Sequence, residues 1–401
     1  MHSKESQPKP QLHEQWIDYH AKQIVKNLQS AGFETYLVGG CVRDLLVGIQ
    51  PKDFDIATSA LPQEVRRKIS HAYVIGKRFK LVLVKRDQHL FEIATFRRNA
   101  SAAEIEALES DENASFDNFF GSVEEDANRR DFTVNAIFYD PIKGQLIDHC
   151  SGLKDVEQRY IRMIGEPVAR LKEDPIRILR AVRLAHKLNF SLEPNLRQAI
   201  KETALELART ALPRRREEWL KILRLKDPQL ALVEFFDLGV LEACLPGVNE
   251  IFQNPEKLEI FSFYMNRWPY LPIDKQSPSD LFSAFALIVF LANQFGEKSI
   301  PVPTPRFEIF MKEELGMFKL ESGALFHAMK HLDSLRKPDL YLRKGERRQA
   351  AFLKQDNLKL ALSLSLINYE LSPEQQIFWS EQLKRHAMMP NHAKAESESR
   401  S

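Results

Sequence analysis

The chain has 401 residues, of which 28 % are charged and 44 % hydrophobic, and its formal net charge is only +2. A chain of this length exceeds what one hydrophobic core usually organises, so we expect two or more domains. The balanced charge excludes binding of nucleic acid through an overall positive field, so any RNA contact must come from local basic patches.

Cysteine usage and hydropathy predict a cytoplasmic protein that does not enter a membrane. Cys41, Cys150 and Cys244 lie far apart, without metal-ligand spacing or a disulfide framework, which is typical of a reducing compartment. Residues 1–15 are polar and lack an apolar export segment. The longest apolar run, residues 281–292, is too short to span a bilayer and predicts a buried helix.

The pattern of elements changes along the chain. Residues 13–31 have apolar positions at helical spacing, and residues 45–48 predict a short helix that ends at Gly48. From residue 176 onward the periodicity is helical, with few β-branched runs. This change predicts an α+β fold, in which a small mixed-sheet head precedes an all-helical neck, body and tail. The strand candidates of the head are residues 36–38, 54–57, 81–84, 90–95 and 136–139.

Domain boundaries are placed at these changes of pattern. Residues 98–120, rich in Asp, Glu, Asn and Ser, predict a flexible loop inside the head. The predicted divisions are a leader and helix at 1–30, the head at 31–160, a helical neck at 161–225, a helical body and tail at 226–389, and a disordered end at 390–401.

The clearest chemical signal lies where the first strand candidate ends. Gly39 and Gly40 follow the apolar run 36–38 directly, and glycines let a backbone approach a phosphate closely because they carry no Cβ. Asp53 and Asp55 are two residues apart, so on a strand both side chains point to the same face. Two carboxylates on one face offer hard oxygen ligands, which suit Mg²⁺ holding a nucleoside triphosphate.

Each half of this signal also has an ordinary structural explanation. A glycine pair after a strand often forms only a tight turn, and alternate aspartates often lie in a solvated loop. The order and spacing of the two motifs together favour phosphoryl-group chemistry. Glu92, within the strand candidate 90–95, is either a third carboxylate beside this pair or a solvated residue of the strand face.

Three segments resemble, in order and approximate spacing, the signature of the class II nucleotidyltransferases, which are the bacterial poly(A) polymerases and CCA-adding tRNA nucleotidyltransferases. The segments are residues 37–60, LVGGCVRDLLVGIQPKDFDIATSA, residues 129–135, RRDFTVN, and residues 173–183, EDPIRILRAVR. The resemblance covers about residues 30–250 and implies a nucleotidyltransferase catalytic head in an enzyme that extends RNA 3′ ends.

The resemblance implies that Asp53 and Asp55 are the metal ligands, with Glu92 in a supporting catalytic role. Two Mg²⁺ ions, about 3.5–4 Å apart, would activate the RNA 3′-hydroxyl and steady the triphosphate and the leaving pyrophosphate. Such a transfer depends on positioning and charge stabilisation more than on covalent catalysis.

A nucleotide site is implied in the same way. Gly40 and Arg43 match the turn that faces the triphosphate, where a guanidinium forms charge-assisted hydrogen bonds with phosphate. Arg130 matches a residue facing the nucleotide phosphates or ribose, and Asp131 and Asn135 match residues near the sugar. Without the resemblance, this Arg-Arg-Asp run is more typical of a surface charge cluster.

The third segment carries a stripe of arginines. Asp174, Arg177, Arg180 and Arg183 follow at three-residue spacing, which places them along one face of a helix. Such a stripe is often a solvated face, but these arginines repel one another unless anions or buried partners face them. By resemblance, Asp174 and Arg177 hydrogen-bond the Watson–Crick edge of the incoming base, so no nucleic-acid template is needed, and Arg180 and Arg183 contact the nucleotide peripherally.

Two basic clusters are candidates for RNA backbone contact, although each is equally typical of a solvated helix surface. The first contains Arg214 and Arg215. The second has Tyr341 as an aromatic neighbour and consists of Arg343, Lys344, Arg347 and Arg348.

Less universal residues separate the two branches of the family. Residues 74–84 and 117–127 resemble the poly(A) branch, so we expect a poly(A) polymerase that adds AMP from ATP to RNA 3′ ends, of mRNA or tRNA. The alternative is a CCA-adding enzyme that uses CTP and ATP. Remoter alternatives are a non-catalytic RNA-binding relative of the same fold and a nucleotide-binding regulator without RNA. Protein partners stay open.

Overall fold

The computed structural model describes residues 12–76, 81–100, 104, 119–293 and 304–388. Most of the predicted leader and of the loop at 98–120, and the whole end at 390–401, lie outside the described residues. Residues 77–80 and 117–118, which belong to the segments resembling the poly(A) branch, lie outside them as well.

The described residues separate into two compact units. The first holds the chain up to Glu173 together with Leu184–Ile200, and the second holds Asp174–Arg183 and the residues from Lys201 onward. The first unit contains a mixed sheet, whereas the second is helical. This confirms the predicted α+β fold.

The first unit is built on a seven-stranded sheet and a separate short strand pair. The strands are β1 Thr35–Val38, β2 Asp55–Thr58, β3 Ala72–Ile75, β4 Leu81–Arg86, β5 His89–Thr95, β6 Ile137–Asp140, β7 Gln145–Asp148, β8 Tyr160–Ile161 and β9 Ser191–Leu192. The sheet order is β3-β4-β5-β2-β1-β6-β7, and β8 pairs with β9. The β2–β5 pair is parallel, and the other neighbours within the sheet are antiparallel.

Five of these strands lie close to the predicted positions, and four were not expected. Strand β3 leaves Tyr73 and Ile75 exposed, so its apolar residues do not mark a buried face. Strand β7 has four residues with polar ends, and β8 and β9 have two residues each, too few to establish a period of two.

Helices of the first unit begin at different residues from those predicted. The predicted helix over 13–31 is divided into a 3₁₀ turn, Glu14–Trp16, and a helix that begins after Asp18, whose carboxylate accepts hydrogen bonds from two helix amides. The helix predicted at 45–48 begins earlier, at Gly40. The helices are α1 Tyr19–Ser30, α2 Gly40–Leu46, α3 Pro62–Lys68, α4 Val123–Asn128, α5 Gly152–Gln158 and α6 Pro167–Glu173, followed by α7 Ile176–Leu188 and α8 Pro194–Thr203, which contain residues of both units.

One apolar cluster connects the strands that carry the sequence motifs. Val38 of β1, Ala57 of β2 and Phe138 of β6 are buried together with Phe96 and with Ala127 of α4. The rings of Phe96 and Phe138 meet edge to face, with centroids 6.2 Å apart. The core therefore fixes the ends of β1 and β2 relative to α4 and β6.

The second unit is helical. The helices that lie wholly within it are α9 Leu212–Leu223, α10 Pro228–Asp237, α11 Val240–Cys244, α12 Pro246–Gln253, α13 Pro255–Met265, α14 Pro278–Asn293, α15 Pro305–Ile309, α16 Lys319–Leu335, α17 Pro338–Leu342, α18 Glu346–Leu353, α19 Leu358–Asn368 and α20 Pro373–Met388. The apolar helix predicted over 281–292 is confirmed, because α14 buries every side chain from Leu281 to Phe290.

Among the helices in the described part of the chain, none combines the length and the apolar character needed to cross a membrane.

Arg216 links helix α9 to helix α16 inside the second unit. Its guanidinium pairs with Glu321, donates to the carbonyl of Gly316 and lies 4.4 Å from the ring centroid of Phe318. Both charged side chains are buried. Although it follows the two arginines considered for RNA contact, Arg216 therefore has a structural role.

We expect Arg216→Ala to lower the free energy of unfolding by about 3–5 kcal/mol, because it leaves Glu321 as an uncompensated buried charge. The measurement is equilibrium unfolding in urea. Glu259→Gln is the control, since Glu259 is exposed on α13 of the same unit and its change should alter stability by less than about 0.5 kcal/mol. Equal stability of Arg216→Ala and wild type would contradict the structural role of this pair.

Candidate active site

The turn after β1 brings three motif residues together. Gly39 has φ +77° and ψ −131°, a backbone conformation that residues other than glycine rarely adopt. A Cβ at this position would lie 3.4 Å from Arg130 Nη1 and 3.9 Å from Asp55 Oδ2. Helix α2 begins at the next residue, Gly40. The glycine pair therefore does more than turn the chain, since it keeps the space between an acid and an arginine open.

The three predicted carboxylates lie at one edge of the sheet. Asp55 is the first residue of β2 and pairs in register with Glu92 of β5, so both side chains share a face of the sheet. Asp53 lies in the bend before β2, so the prediction that it shares the strand with Asp55 was wrong. All three side chains are exposed to solvent.

The electrostatics of Asp55 reflect this concentration of negative charge. Partial desolvation, then the carboxylate of Glu92 and, more weakly, that of Asp53 raise the pKa of Asp55. Arg130 and Arg43 act in the opposite direction. Protein atoms crowd this carboxylate although its side chain keeps an exposed surface, so the like charges interact in a partly desolvated place.

Arg130 is held in place by a buried acid. Its Nε and Nη2 donate to Asp126 Oδ2 at 3.2 and 2.8 Å, and Arg129 Nε donates to Oδ1 of the same carboxylate at 2.9 Å. Burial alone would raise the pKa of Asp126, but Arg130 and Arg129 lower it below the ordinary value. The guanidinium also lies 5.3 Å from the ring centroid of Phe138. Its Nη1 lies beside Gly39 and donates to the backbone carbonyl of Asn135 at 3.4 Å.

Arg43 has a similar buried support. Its Nε and Nη2 donate to Asp44 Oδ1 at 2.9 and 2.6 Å, and its Nη1 donates to the side-chain oxygen of Asn135. Lys187 Nζ donates to the other oxygen of Asp44 at 2.8 Å. Most donors of Arg43 are thus engaged within the protein, so the geometry favours an electrostatic and positioning contribution over the phosphate fork expected from the sequence.

The second motif forms a tight local network. Asp131 Oδ1 accepts hydrogen bonds from the amide of Phe132 at 2.8 Å and from Asn135 Nδ2 at 3.1 Å. Arg170 Nη2 donates to the backbone carbonyls of residues 129 and 130, each at 3.0 Å. Asn135 therefore connects Asp131 to Arg43, and Arg170 fixes the backbone from which Arg130 extends.

Four side chains that support the site were not expected from the sequence. Asp126 and Asp44 are buried counter-ions, Lys187 completes the second of these pairs, and Arg170 binds the backbone of the motif. Asp126 lies in α4 and Arg130 two residues after that helix ends, and their four-residue spacing is one at which ion pairs form along a helical turn. Lys187 is 143 residues from Asp44, and no local pattern indicates that contact.

In the second unit, Asp174 already has a charged partner. It precedes α7 instead of lying on it, so the helical stripe begins at Arg177. Its two carboxylate oxygens accept hydrogen bonds from Arg214 Nη1 and Nη2, both at 2.9 Å. This bidentate pair orients the carboxylate and places Arg214, predicted to contact RNA, beside a residue predicted to read the base.

The arginine stripe of α7 faces a buried acid of α9. Arg183 Nε donates to Glu218 Oε2 at 2.8 Å, and Lys221 Nζ donates to Oε1 at 2.9 Å. Burial opposes ionisation of Glu218, but Arg183, Lys221 and, more weakly, Arg180 lower its pKa. A cavity of about 390 Å³ opens beside this group and is lined by Ile176, Arg180, Pro213, Arg214, Glu217 and Glu218. The spacing of the arginines predicted that they face anions or buried partners, and Glu218 is such a partner for Arg183.

The other candidate RNA contacts differ in exposure. Arg215 is half-buried, whereas Arg214 and the second basic cluster, residues 343–348, are exposed. Tyr341 is only 4 % exposed and packs with its ring centroid 4.9 Å from that of Trp379. The expectation that Tyr341 offers an aromatic surface to RNA was therefore wrong.

The donor set at the sheet edge fits a hard divalent cation. Asp53 and Asp55 supply exposed carboxylate oxygens, Glu92 adds a third beside Asp55, and a cation would relieve the repulsion that raises the pKa of Asp55. Among the described residues, no group of three or more His, Cys, Asp or Glu side chains is already arranged to hold a metal ion. The fit therefore rests on the aspartate pair.

Sequence comparisons match the two regions that carry these residues. Residues 35–162 match a family described as the poly A polymerase head domain, and residues 189–252 match one described as a probable RNA and SrmB-binding site of polymerase A. The first range includes the acids and Arg130. The second includes Arg214 and Arg215 but not the basic cluster at 343–348.

Curated relatives come from both branches. Poly(A) polymerase I of Haemophilus influenzae is 38 % identical over an alignment that covers 66 % of this chain and 61 % of the relative. Poly(A) polymerase I of Salmonella typhi is 41 % identical over 59 % of this chain and 52 % of the relative. A CCA-adding enzyme of Ligilactobacillus salivarius is 36 % identical over 61 % of this chain and 58 % of its own length. The chain thus spans about half to three-fifths of the length of these relatives.

Solved structures share the fold. The CCA-adding enzyme of Bacillus stearothermophilus in complex with CTP has a TM-score of 0.64 and 26 % identity, covering 91 % of this chain and 81 % of that one. The Thermotoga maritima CCA-adding enzyme complexed with tRNA has a TM-score of 0.58 at 20 % identity, and the match covers 94 % of this chain and 86 % of that enzyme's chain.

We expect Asp55→Asn to raise the melting temperature at pH 7, because it removes a carboxylate whose folded-state pKa is raised. The gain should vanish as pH falls through that pKa, where wild-type Asp55 becomes protonated. Mg²⁺ should raise the melting temperature of the wild type and have little effect on the variant. Calorimetry measures both effects, with the exposed Glu157→Gln as control. A less stable Asp55→Asn, or an unchanged response to Mg²⁺, would contradict this view of the site.

Proposed function

The chain belongs to the nucleotidyltransferase family of the poly(A) polymerases and CCA-adding enzymes, and we propose that it transfers AMP from ATP to RNA 3′ ends without a nucleic-acid template. The observation that carries this proposal is the meeting of Asp55, Arg130 and Gly39 at one edge of the sheet. An acid that suits a metal ion, a cation that suits a phosphate and an open backbone between them are the parts that this chemistry requires.

In this proposal, Asp53 and Asp55 hold Mg²⁺, in one or two ions, and Glu92 supports them. When bound, the metal lowers the charge of the triphosphate and favours ionisation of the RNA 3′-hydroxyl. Arg130, fixed by Asp126, binds triphosphate oxygens and stabilises the charge that develops on pyrophosphate as it leaves. Arg43, fixed by Asp44, adds positive potential from a buried position.

Base selection is assigned to Asp174 and Arg177, which would supply an acceptor and donors to the Watson–Crick edge of adenine. Arg214 restricts the orientation of Asp174 through two hydrogen bonds, so this acceptor is ordered before a base arrives. An ordered acceptor loses less conformational entropy on binding than a mobile one, which favours selection by the protein alone.

Sequence identity favours the poly(A) branch by a small margin. The two poly(A) polymerases reported above are 38 % and 41 % identical, against 36 % for the CCA-adding enzyme. CCA addition to tRNA remains the second candidate, because the Bacillus stearothermophilus CCA-adding enzyme shares the fold over 91 % of this chain at 26 % identity.

The two candidates predict different products from short RNA and from tRNA lacking its CCA end. We expect an unlimited ladder of added A residues on unstructured RNA, with ATP strongly preferred at each step. The measurement is gel analysis of products made with each nucleoside triphosphate separately and then with ATP and CTP together. Addition of C, C and A to the tRNA, followed by arrest, would replace poly(A) synthesis by CCA addition.

The matched controls for this experiment are Asp53→Ala and Asp55→Ala, which should abolish addition while preserving the fold. Chelation of Mg²⁺ should abolish it in the wild type. Glu157→Gln, an exposed acid outside the site, should retain wild-type rates. Near-wild-type Mg²⁺-dependent activity in either alanine variant would exclude the proposed metal ligands.

Arg177→Ala should lower selectivity for ATP over CTP, GTP and UTP by the equivalent of about 1–3 kcal/mol, because a base edge loses its partner. The measurement compares kcat/KM for the four nucleotides. Arg209→Ala is the matched control, since the Arg209 side chain is 81 % exposed and outside the stripe. Unchanged selectivity in Arg177→Ala would show that Arg177 does not select the base.

A further inference from the structure

A cavity of about 540 Å³ lies in the first unit, at the sheet edge where β2 and β5 begin. Its volume is within the range of sites that bind small molecules or parts of larger ligands. It includes Asp53 of the acid pair, and the functions assigned above do not use the rest of it. Among its lining residues are Trp16, Gln50, Lys52, Asp53, Gln88 and Leu90.

The sheet order places the acids between this cavity and the arginine-lined turn. Neighbouring strands run β5, β2, β1, β6. Asp55 on β2 pairs with Glu92 on β5, and Leu90, two residues earlier on β5, lies on the same face as Glu92 and reaches the cavity. Gly39 follows β1, on the other side, where Arg130 reaches its turn. His89 and Phe91, which alternate with Leu90 on β5, line the cavity as well, so the cavity lies off the start of this strand. In strand order, the acids stand between it and the turn after β1.

The chemistry of nucleotide transfer assigns different groups to the cavity and to the turn after β1, and this step rests on the function proposed above. The attacking and leaving oxygens lie roughly in line across the transferred phosphorus. Arg130 and Arg43 supply the positive charge that favours the leaving pyrophosphate on the β1 side. The attacking 3′-hydroxyl must then approach from the β5 side, where the cavity opens.

The lining of the cavity suits a nucleotide at the end of an RNA chain. Trp16 is ordered by stacking on His13, with ring centroids 4.5 Å apart, and Leu90 is 58 % exposed, so an aromatic and an aliphatic surface are available to a base. The glutamine amides offer donors and acceptors to a base or ribose, and Lys52 offers a cation to a phosphate.

Charge within the cavity argues against a free anion as its ligand. The lining contains two carboxylates, Asp18 and Asp53, and one lysine, Lys52. It also contains one histidine, His89. Asp18 is occupied, because it caps α1 and its Oδ2 lies 3.1 Å from His89 Nδ1. A largely uncharged base and ribose with a single phosphate match this balance better than a triphosphate does.

We propose that this cavity is the subsite for the 3′-terminal nucleotide of the RNA, with its base against Trp16. The subsite holds the RNA end on the β5 side of the acids. It does not contribute to binding of the incoming nucleoside triphosphate.

The test uses a short RNA with 2-aminopurine at its 3′ end and the full chain without ATP. Wild type should quench the fluorescence by stacking, and Trp16→Ala should remove the quenching, whereas Trp16→Phe should restore most of it. Tyr19→Ala is the matched control, because Tyr19 is an aromatic residue of α1 that is 69 % exposed and outside the cavity. The same probe ten nucleotides from the 3′ end should respond equally in all variants.

Steady-state kinetics give a second readout. Trp16→Ala should raise KM for RNA about tenfold, as expected for loss of one base stack, and leave KM for ATP unchanged. A raised KM for ATP alone, or quenching that persists in Trp16→Ala, overturns the subsite. Wild type that quenches the 3′ probe but adds no nucleotide would contradict the proposed function while supporting RNA binding in the cavity.

Discussion

The concentration of like charge at the start of β2 is the constraint on which the site depends. Asp53, Asp55 and Glu92 lie close together, and their repulsion raises the pKa of Asp55. Such a group is stable only because the sheet positions its members from separate strands and loops and because Arg130 and Arg43 lie nearby. The oxygens that repel one another in the free protein are also the hard ligands that a divalent cation prefers, and for this reason we propose a metal site here.

The arginines that face these acids have buried acids behind them. Asp126 holds Arg130, and Asp44 holds Arg43. Each buried carboxylate compensates a cation that would otherwise be expensive to desolvate, and each restricts the guanidinium to one orientation. Charges therefore alternate outwards from Asp55. In the proposed function, this alternation fixes the positive groups in position before a triphosphate binds, so that binding would require little reorganisation.

The sequence predicted the motif residues better than the contacts that hold them. Local spacing was sufficient for β1, β2 and β5, because strand periodicity carries that information, but it left open whether Glu92 lies beside Asp55, which the pairing of β2 with β5 decides. It was insufficient for the contact between Lys187 and Asp44, which joins residues 143 positions apart and depends on tertiary packing. The position of Asp53 also differed, because the strand begins at Asp55, one residue later than the candidate 54–57, and leaves Asp53 in the bend before it.

In the second unit, too, opposite charges compensate a row of like charges, but here the row is positive. Its excess charge is positive, along α7, and the buried acid Glu218 compensates Arg183 while Arg214 takes the carboxylate of Asp174. Arg177 lies between these two compensated positions in the sequence. A base edge presents donors and acceptors without net charge, so a reading group works best when neighbouring charges are already balanced and only hydrogen-bond geometry separates one base from another. The pairs made by Asp174 and Glu218 supply that balance.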